Sequence, residues 1–305
     1  MTGFRIGIDL GGTKIEAAAL DDRGALHLRQ RIPTPAGDYA GTIVAVAGLV
    51  ARIERDIGPG ASVGIAIPGT IVAATGLVKN ANSIWLNGRP LGRDVEAALG
   101  RQVRFANDAN CFALSEAVDG AAAGSGTVFG VILGTGVGGG IAIGGRILVG
   151  ANAIAGEWGH NPLPAPRPGE WPGPPCYCGR SSCIETFLSG PGLAADHRRH
   201  GGAALEGPAI AAAAAAGDEQ CRATLDRYAE RLARALAGVI NILDPDAIVL
   251  GGGLSSLRHL YEEVPRHWNS HIFSDTVVTR LLPPAHGDSS GVRGAAWLWH
   301  PEETG

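Results

Sequence analysis

No block of like charge as long as five residues occurs in this 305-residue chain, whose 25 basic residues stand against 29 acidic ones for a net charge of −4. That absence argues against a nucleic-acid surface and against a polybasic membrane anchor. The N-terminus, Met-Thr-Gly-Phe-Arg, lacks a charged n-region, a long apolar core and a small-residue cleavage site, so no secretion signal is expected. Forty-seven glycines show no Gly-x-y period, which removes collagen, yet they make up about 15% of the chain where about 7% is ordinary. The uncharged stretch 121–145 has ten glycines among its 25 residues and would make a poor membrane helix. What is present is a 45% hydrophobic content over a length that can bury two domain cores. A cytoplasmic protein is expected, in which disulfides are rare and clustered cysteines read as metal ligands.

The first twenty residues predict a β-hairpin, Ile6 to Leu10 and Ile15 to Leu20 about a Gly11-Gly12 turn. Helical spacing over Ala40 to Ile57 and a β-rich run at Ser62 to Ile67 follow, so strand, helix and strand alternate as in an α/β fold. A strand at Val103 to Ala106, a helical pattern at Cys111 to Val118 and a glycine-rich break place a domain boundary near 118. The opening pattern then recurs at an offset of 123, with Gly7/Gly130, Leu10/Leu133, Gly11/Gly134, Ala19/Ala142 and Arg23/Arg146 identical. A duplicated hairpin explains this better than biased composition does. Further on come a Pro-rich excursion from Asn161 to Cys183 and an amphipathic helix with its apolar face on Leu225, Leu232, Leu236 and Leu243. A strand at Ala247 to Leu250 runs into Gly251-Gly252-Gly253, and Gly291 to His300 predicts a closing helix.

Asp9-Leu-Gly-Gly-Thr-Lys14 sets an acid at a strand end ahead of two glycines, a hydroxyl and an amine. Exposed amides at Gly11 and Gly12 can approach phosphate oxygens, Thr13 and Lys14 can bind them, and Asp9 can hold a hydrated Mg²⁺. Gly134-Thr135-Gly136 and Gly252-Gly253 likewise follow apolar strands, and three such turns suggest one large phosphate-bearing ligand. No G-x-x-x-x-G-K-[ST] string occurs, so a P-loop is excluded. Gly134-x-Gly136-x-x-Gly139 matches a dinucleotide fingerprint with Glu157 placed for the ribose, but the run after Gly139 reads as a strand where that fold needs a helix. Asn107-Asp108-Ala109-Asn110 can cap a helix, or Asp108 can serve as a base that takes a proton from a substrate hydroxyl. Cys176-x-Cys178-x4-Cys183 with His160 upstream is the ligand set of a closed tetrahedral Zn²⁺ site. Glu157 and Glu185 flank that set and, held rigidly by it, suit hydrogen bonding to several sugar hydroxyls.

Together these residues resemble the ROK family of bacterial sugar kinases and repressors, within the actin/hexokinase-like superfamily. The family's Asp-x-Gly-Gly-Thr-Lys falls on Asp9 to Lys14, its second phosphate loop on Leu133 to Gly140 and its Asn-Asp-Ala-Asn on Asn107 to Asn110. Its Glu-x-Gly-His falls on Glu157 to His160 and its zinc motif on Cys176 to Glu185, with Ser182 where the family has a second glycine. The resemblance implies an α/β, two-lobed (ribonuclease H-like) fold with an inserted zinc loop. One lobe would comprise 1–118 plus 291–305, and the other 119–290.

Strings at 78–90, 156–164 and 286–299 resemble the fructokinase branch most closely. This implies ATP with Mg²⁺, transfer of the γ-phosphate to the 6-hydroxyl of fructose or mannose, a structural zinc and a homodimer. N-acetylglucosamine kinase or glucokinase is the alternative within the family. In that reading Asp108 is the base and Gly69, Asn82, Asn107, Asp108, Glu157, His160 and Glu185 bind the sugar. His160 gives one ring nitrogen to zinc and the other to sugar. The turns at Asp9, Gly11, Gly12, Thr13 and Lys14, at Gly134, Thr135 and Gly136, and at Gly252 and Gly253 hold the nucleotide. The family's repressors carry a helix-turn-helix ahead of the first phosphate loop, whereas eight residues precede Asp9, which argues against that reading.

Overall fold

The structure is a computed structural model describing residues 3–300; residues 1–2 and 301–305, part of the expected N-terminal lobe, lie outside the described residues. In chain order the elements are β1 (Phe4–Leu10), β2 (Lys14–Asp21), β3 (Leu26–Pro33), α1 (Tyr39–Ile57), β4 (Ser62–Ile67), β5 (Thr70–Ile71), β6 (Val78–Lys79), α2 (Leu91–Leu99), β7 (Val103–Asn107) and α3 (Asp108–Val118). Then follow β8 (Thr127–Leu133), β9 (Val137–Ile143), β10 (Arg146–Ile147), α4 (Ile184–Leu188), α5 (Gly190–Arg199), α6 (Gly207–Ala215), α7 (Glu219–Leu243), β11 (Ala247–Gly251), α8 (Arg258–Trp268), β12 (Arg280–Leu282) and α9 (Ser290–Ala296). The chain divides into two compact units, Met1–Gly124 with Gly140–Ala155 and Asp288–Gly305, and Ser125–Gly139 with Gly156–Gly287.

One five-stranded sheet runs β3-β2-β1-β4-β7 and the other β10-β9-β8-β11-β12. Each has an antiparallel strand beside its first long strand and two parallel strands on the other side, β1 with β4 and β7 as β8 with β11 and β12. Thr127 and Val137, which open β8 and β9, stand 123 positions after Phe4 and Lys14, which open β1 and β2, so the duplicated hairpin of the sequence is an observed repeat of sheet topology. β9 is a strand where the dinucleotide fingerprint requires a helix, which removes that reading.

In the first unit α1 and α2 cover one side of the sheet, with Val46, Leu49, Val50, Ile53, Leu91 and Val95 packed on Ile6, Ile8, Val63 and Ile65. α9 lies against β1 and β4 because Gly7 and Gly64 lack side chains: a Cβ at either position would stand 1.9 Å from a helix carbonyl, of Val292 or Ala295. α9 ends at Ala296, short of the predicted His300, because Trp297 donates its indole N–H to Asp119 and Trp299 donates its own to the carbonyl of Val63, drawing the chain out of helical register.

The second unit is built around α7, which starts six residues before Leu225 with Asp218 as N-cap, its carboxylate accepting the Cys221 N–H. Tyr228, Leu232 and Leu236 are buried, and so are Arg231 and Arg234 on the same helix. Arg231 donates to Glu170 and Asp196 at 2.7 Å each, and Arg234 donates to Glu170 and to the carbonyls of Pro164 and Ala165. A buried pair adds little net stability, but removing one partner strands the other at about 3–5 kcal/mol. The excursion between Asn161 and Cys183 is therefore tied to α7 at Glu170. No helix among the described residues is long and apolar enough to cross a membrane.

Candidate active site

The residues singled out in the sequence divide between the two units. In the first, Asp9 lies in β1 and the Gly11 N–H donates to the Lys14 carbonyl at 3.1 Å, closing the turn. Thr34, at the end of β3, braces this turn: its hydroxyl donates to the Gly11 carbonyl at 2.7 Å and its N–H to the Thr13 carbonyl at 3.0 Å. Gly12, Thr13 and Lys14 are exposed. Burial first, then the carboxylates of Asp108 and Glu16, push Asp9 up to about 6 against the partial relief of Lys14. Asp9 and Asp108 are thus electrostatic neighbours, and a turn with free amides beside two carboxylates suits a phosphate that arrives with a divalent cation.

Asn107 and Asp108 separate two roles the sequence left joined. Asn107 is the N-cap of α3, its side chain accepting the Ala109 N–H at 2.9 Å and donating to the Gly69 carbonyl at 3.1 Å. Asp108 is the first residue of α3, three residues before the helix start read from sequence, and accepts the Ala109 N–H at 2.8 Å while its carboxylate stays exposed. Gly69 has φ +83° and would meet the Lys79 carbonyl at 2.3 Å with any side chain, which seats the 68–70 loop on the segment leading to Asn82. That segment is held by Asn87, which accepts the Ala81 N–H and donates to the Ala81 carbonyl. Neither Thr34 nor Asn87 was found from sequence; the Asn-Gly-Arg-Pro turn was the signal for the second.

In the second unit Gly134, Thr135 and Gly136 form the turn after β8, closed by a Gly134 N–H to Gly136 carbonyl bond at 3.0 Å. Glu185 reaches it from α4, accepting the Val137 N–H at 2.9 Å, and the Gly190 N–H donates to the Gly134 carbonyl at 2.8 Å. Gly252, at φ +79°, packs onto the end of β8 at Leu133, so the third glycine turn meets the second. Gly253 follows it, exposed, at the start of a short 3₁₀ turn. Gly139 and Gly159 permit equally close packing of β9 on the 156–160 segment, and the Trp158 indole donates to the Gly138 carbonyl at 3.0 Å. Glu157, next to Trp158, is exposed. The Gly134–Gly136 turn, Glu157 and Glu185 therefore stand on one framework.

His160, Cys176, Cys178 and Cys183 present ligand atoms that all lie within 4.8 Å of one another. His160 Nδ1 is 3.6 Å from Cys176 Sγ, and Cys178 Sγ is 3.6 Å from Cys183 Sγ. Bonds of about 2.3 Å to sulfur and about 2.0 Å to nitrogen in a tetrahedron give donor separations of about 3.5–3.8 Å; these two pairs match, and the set is compatible with a structural Zn²⁺ site. The Arg180 backbone amide holds the Cys178 thiol below its ordinary range, favouring the thiolate a metal needs, while burial raises Cys183. Ser182 carries φ +63°, the conformation a glycine would adopt there, and is buried with its hydroxyl accepting the Gly173 N–H at 2.7 Å. His160 Nε2 lies 3.0 Å from the Tyr177 hydroxyl, so the second ring nitrogen faces a tyrosine that sequence reasoning treated only as a spacer.

Residues 5–302 match the family model described as ROK family. N-acetyl-D-glucosamine kinase of Escherichia coli O6:H1 is 41% identical over 296 residues, covering 96% of this chain and 98% of its own. Among solved structures, a ROK hexokinase from Thermus thermophilus superposes with a TM-score of 0.85 at 30% identity, covering 97% of each chain. A ROK family glucokinase from Streptomyces griseus, in complex with glucose and AMPPNP, gives 0.75 at 27% identity, covering 96% of this chain and 98% of its own.

Proposed function

This chain belongs to the ROK family, and we propose that it is an ATP-dependent sugar kinase that phosphorylates the 6-hydroxyl of N-acetyl-D-glucosamine. The observation that carries the substrate is the 41% identity, over nearly the whole chain, to kinases of that sugar. The glucokinase complex with glucose and AMPPNP supports the pairing of a sugar with a triphosphate. Fructose, the substrate favoured by the strings at 78–90, 156–164 and 286–299, finds no support among these relatives and stands as the second reading on those strings alone.

In this reading Asp108 accepts the proton of the attacking hydroxyl as the phosphorus–oxygen bond forms, and the leaving group is ADP. Asn107 orients Asp108 by holding the helix start and the Gly69 loop at once. Glu157 and Glu185 accept from sugar hydroxyls, and the amides of Gly12, Thr13, Thr135 and Gly136, not spent on closing their turns, donate to phosphate oxygens. Asp9 and Asp108 are the carboxylates that would face a magnesium ion, which would neutralise phosphate charge. His160, Cys176, Cys178 and Cys183 would hold a zinc ion, which would anchor the loop carrying Glu185.

The test is ATP consumption by the purified protein with N-acetyl-D-glucosamine, glucose, mannose and fructose. The expected result is a kcat/KM highest for N-acetyl-D-glucosamine; fructose at the head of the panel would restore the second reading, and no turnover with any sugar would sink the kinase. The reading includes a cytoplasmic homodimer, which light scattering after gel filtration checks through the mass.

A further inference from the structure

Ser83 follows Asn82 in the chain and is 3% exposed, yet its hydroxyl makes no hydrogen bond among the described residues. It stands at the N-cap of the 3₁₀ turn Ile84–Leu86, a position from which a serine side chain ordinarily accepts a backbone N–H. This one accepts none, and the Leu86 N–H goes to the Ser83 carbonyl at 3.0 Å. A buried hydroxyl left unpaired costs free energy, so a fold that keeps one calls for a reason.

The surroundings of the hydroxyl supply one. Its oxygen lies against Gly12, 3.4 Å from where a Cβ on that glycine would stand, and Gly12 is an exposed residue of the turn read as binding phosphate. The Gly12 N–H is free for a ligand, because the Gly11 N–H is the one that closes the turn. Around Ser83 the chain is fixed on both sides: Asn87 holds Ala81 through two hydrogen bonds, Leu86 is buried, and the Trp85 indole donates to Thr42 Oγ1 of α1 at 3.4 Å. Ser83 is thus set between a phosphate turn and Asn82, which the same reading gives to the sugar. The group that passes from nucleotide to sugar is the one that both sides share.

We infer that Ser83 binds the phosphoryl group in transfer, its hydroxyl turning about its single side-chain torsion to donate to a γ-phosphate oxygen seated at Gly12. The inference rests on the kinase reading above and holds for whichever sugar is taken. Ser83 keeps its proton throughout. The sugar oxygen bonds to phosphorus and gives its proton to Asp108, while the bond from phosphorus to the bridging oxygen breaks and its electron pair leaves with ADP. ADP, lacking the γ-phosphate, offers the hydroxyl nothing to bind.

The experiment compares the whole parent protein with Ser83→Ala in three measurements: steady-state turnover of the sugar the parent uses best, calorimetric titration with AMPPNP and with ADP at saturating amounts of that sugar, and thermal melting without ligands. For Ser83→Ala, kcat should fall about tenfold and the Kd for AMPPNP rise about threefold or more, while the Kd for ADP stays within about twofold. Melting should come at or above the parent's temperature, since the variant loses an unpaired group rather than a bond. Equal weakening of both nucleotides, a kcat within about twofold of the parent's, or a lowered melting temperature overturns the assignment while leaving the kinase reading intact. A parent that turns over none of the sugars overturns the kinase reading and this assignment with it.

Discussion

The turn after β1 and the turn after β8 are copies in sequence and topology, yet they are held in different ways. The first, Gly11 to Thr13, is braced by backbone and by Thr34 from the adjoining strand, and its chemistry lies in charged neighbours, Asp9, Asp108 and Lys14. The second, Gly134 to Gly136, has no charged residue of its own and is clamped from outside by Glu185 and Gly190. Duplication supplied the same strand-turn-strand unit twice. Titratable groups collected at one copy and rigid supports at the other, which lets reactivity and positioning vary independently.

This contrast is sharpest where catalysis should follow the first turn alone. Asp108→Asn should lower kcat about 10³-fold with sugar binding within about twofold, as steady-state kinetics and titration would show. Retained turnover would break the assignment of chemistry to that copy. On the supporting side, Cys178→Ser should lose its metal by elemental analysis and lower stability by about 3 kcal/mol in denaturant melts; unchanged metal and stability would mean that the clamp does not depend on the cluster.

A smaller effect has a sign fixed by Asp9, whose carboxyl is at about 6 in the folded chain against an ordinary 3.8. A raised carboxyl favours the folded state below about pH 4, and that advantage is lost as pH rises through 6. Asp9→Asn should accordingly stabilise the nucleotide-free protein by about 3 kcal/mol at pH 8 and by about 0.5 kcal/mol at pH 4. A gain independent of pH would detach the effect from ionisation. Smallest is the steric difference between the turns. A Cβ on Gly136 would stand 2.7 Å from Glu185 Oε2 and displace the carboxylate from Val137, whereas on Gly12 it meets nothing nearer than Ser83 Oγ at 3.4 Å. Gly136→Ala should cost about 1 kcal/mol in ATP binding and Gly12→Ala less than half of that, read from KM; equal costs would show the second turn to be as loosely held as the first.

Much of this organisation was legible in the residues. The hairpins announced themselves through apolar strands around paired glycines, and the repeat survived because the offset of 123 preserves strand, turn and strand. β3 was missed because Leu26–Pro33 alternates apolar residues with arginines, and Arg29 and Arg31 turn out to pair with the buried Glu16 of β2. α8 was hidden by Pro265 inside it and by the lack of a capping side chain at Leu257. The cluster of His160, Cys176, Cys178 and Cys183 was readable as spacing, since a metal site needs its donors whatever the loop does between them. The contact of Tyr177 with His160 was not, because it pairs residues across 17 positions of irregular chain. Sugar preference was legible only as two alternatives: short strings at 78–90, 156–164 and 286–299 match the fructokinase branch, whereas identity over 296 residues supports the N-acetylglucosamine alternative named beside it.

Ser182 shows how such a loop can change without failing. A left-handed backbone costs a non-glycine residue about 1 kcal/mol, and the bond its hydroxyl accepts from Gly173 returns a similar amount. Glycine and serine are then nearly interchangeable at this position, and a lineage can cross from one to the other without passing through a weakened protein. The cysteine-bearing loop need not be recognised by its glycines: a hydroxyl that ties down the facing segment at Gly173 keeps the same bend, and the cysteine spacing outlasts the exchange.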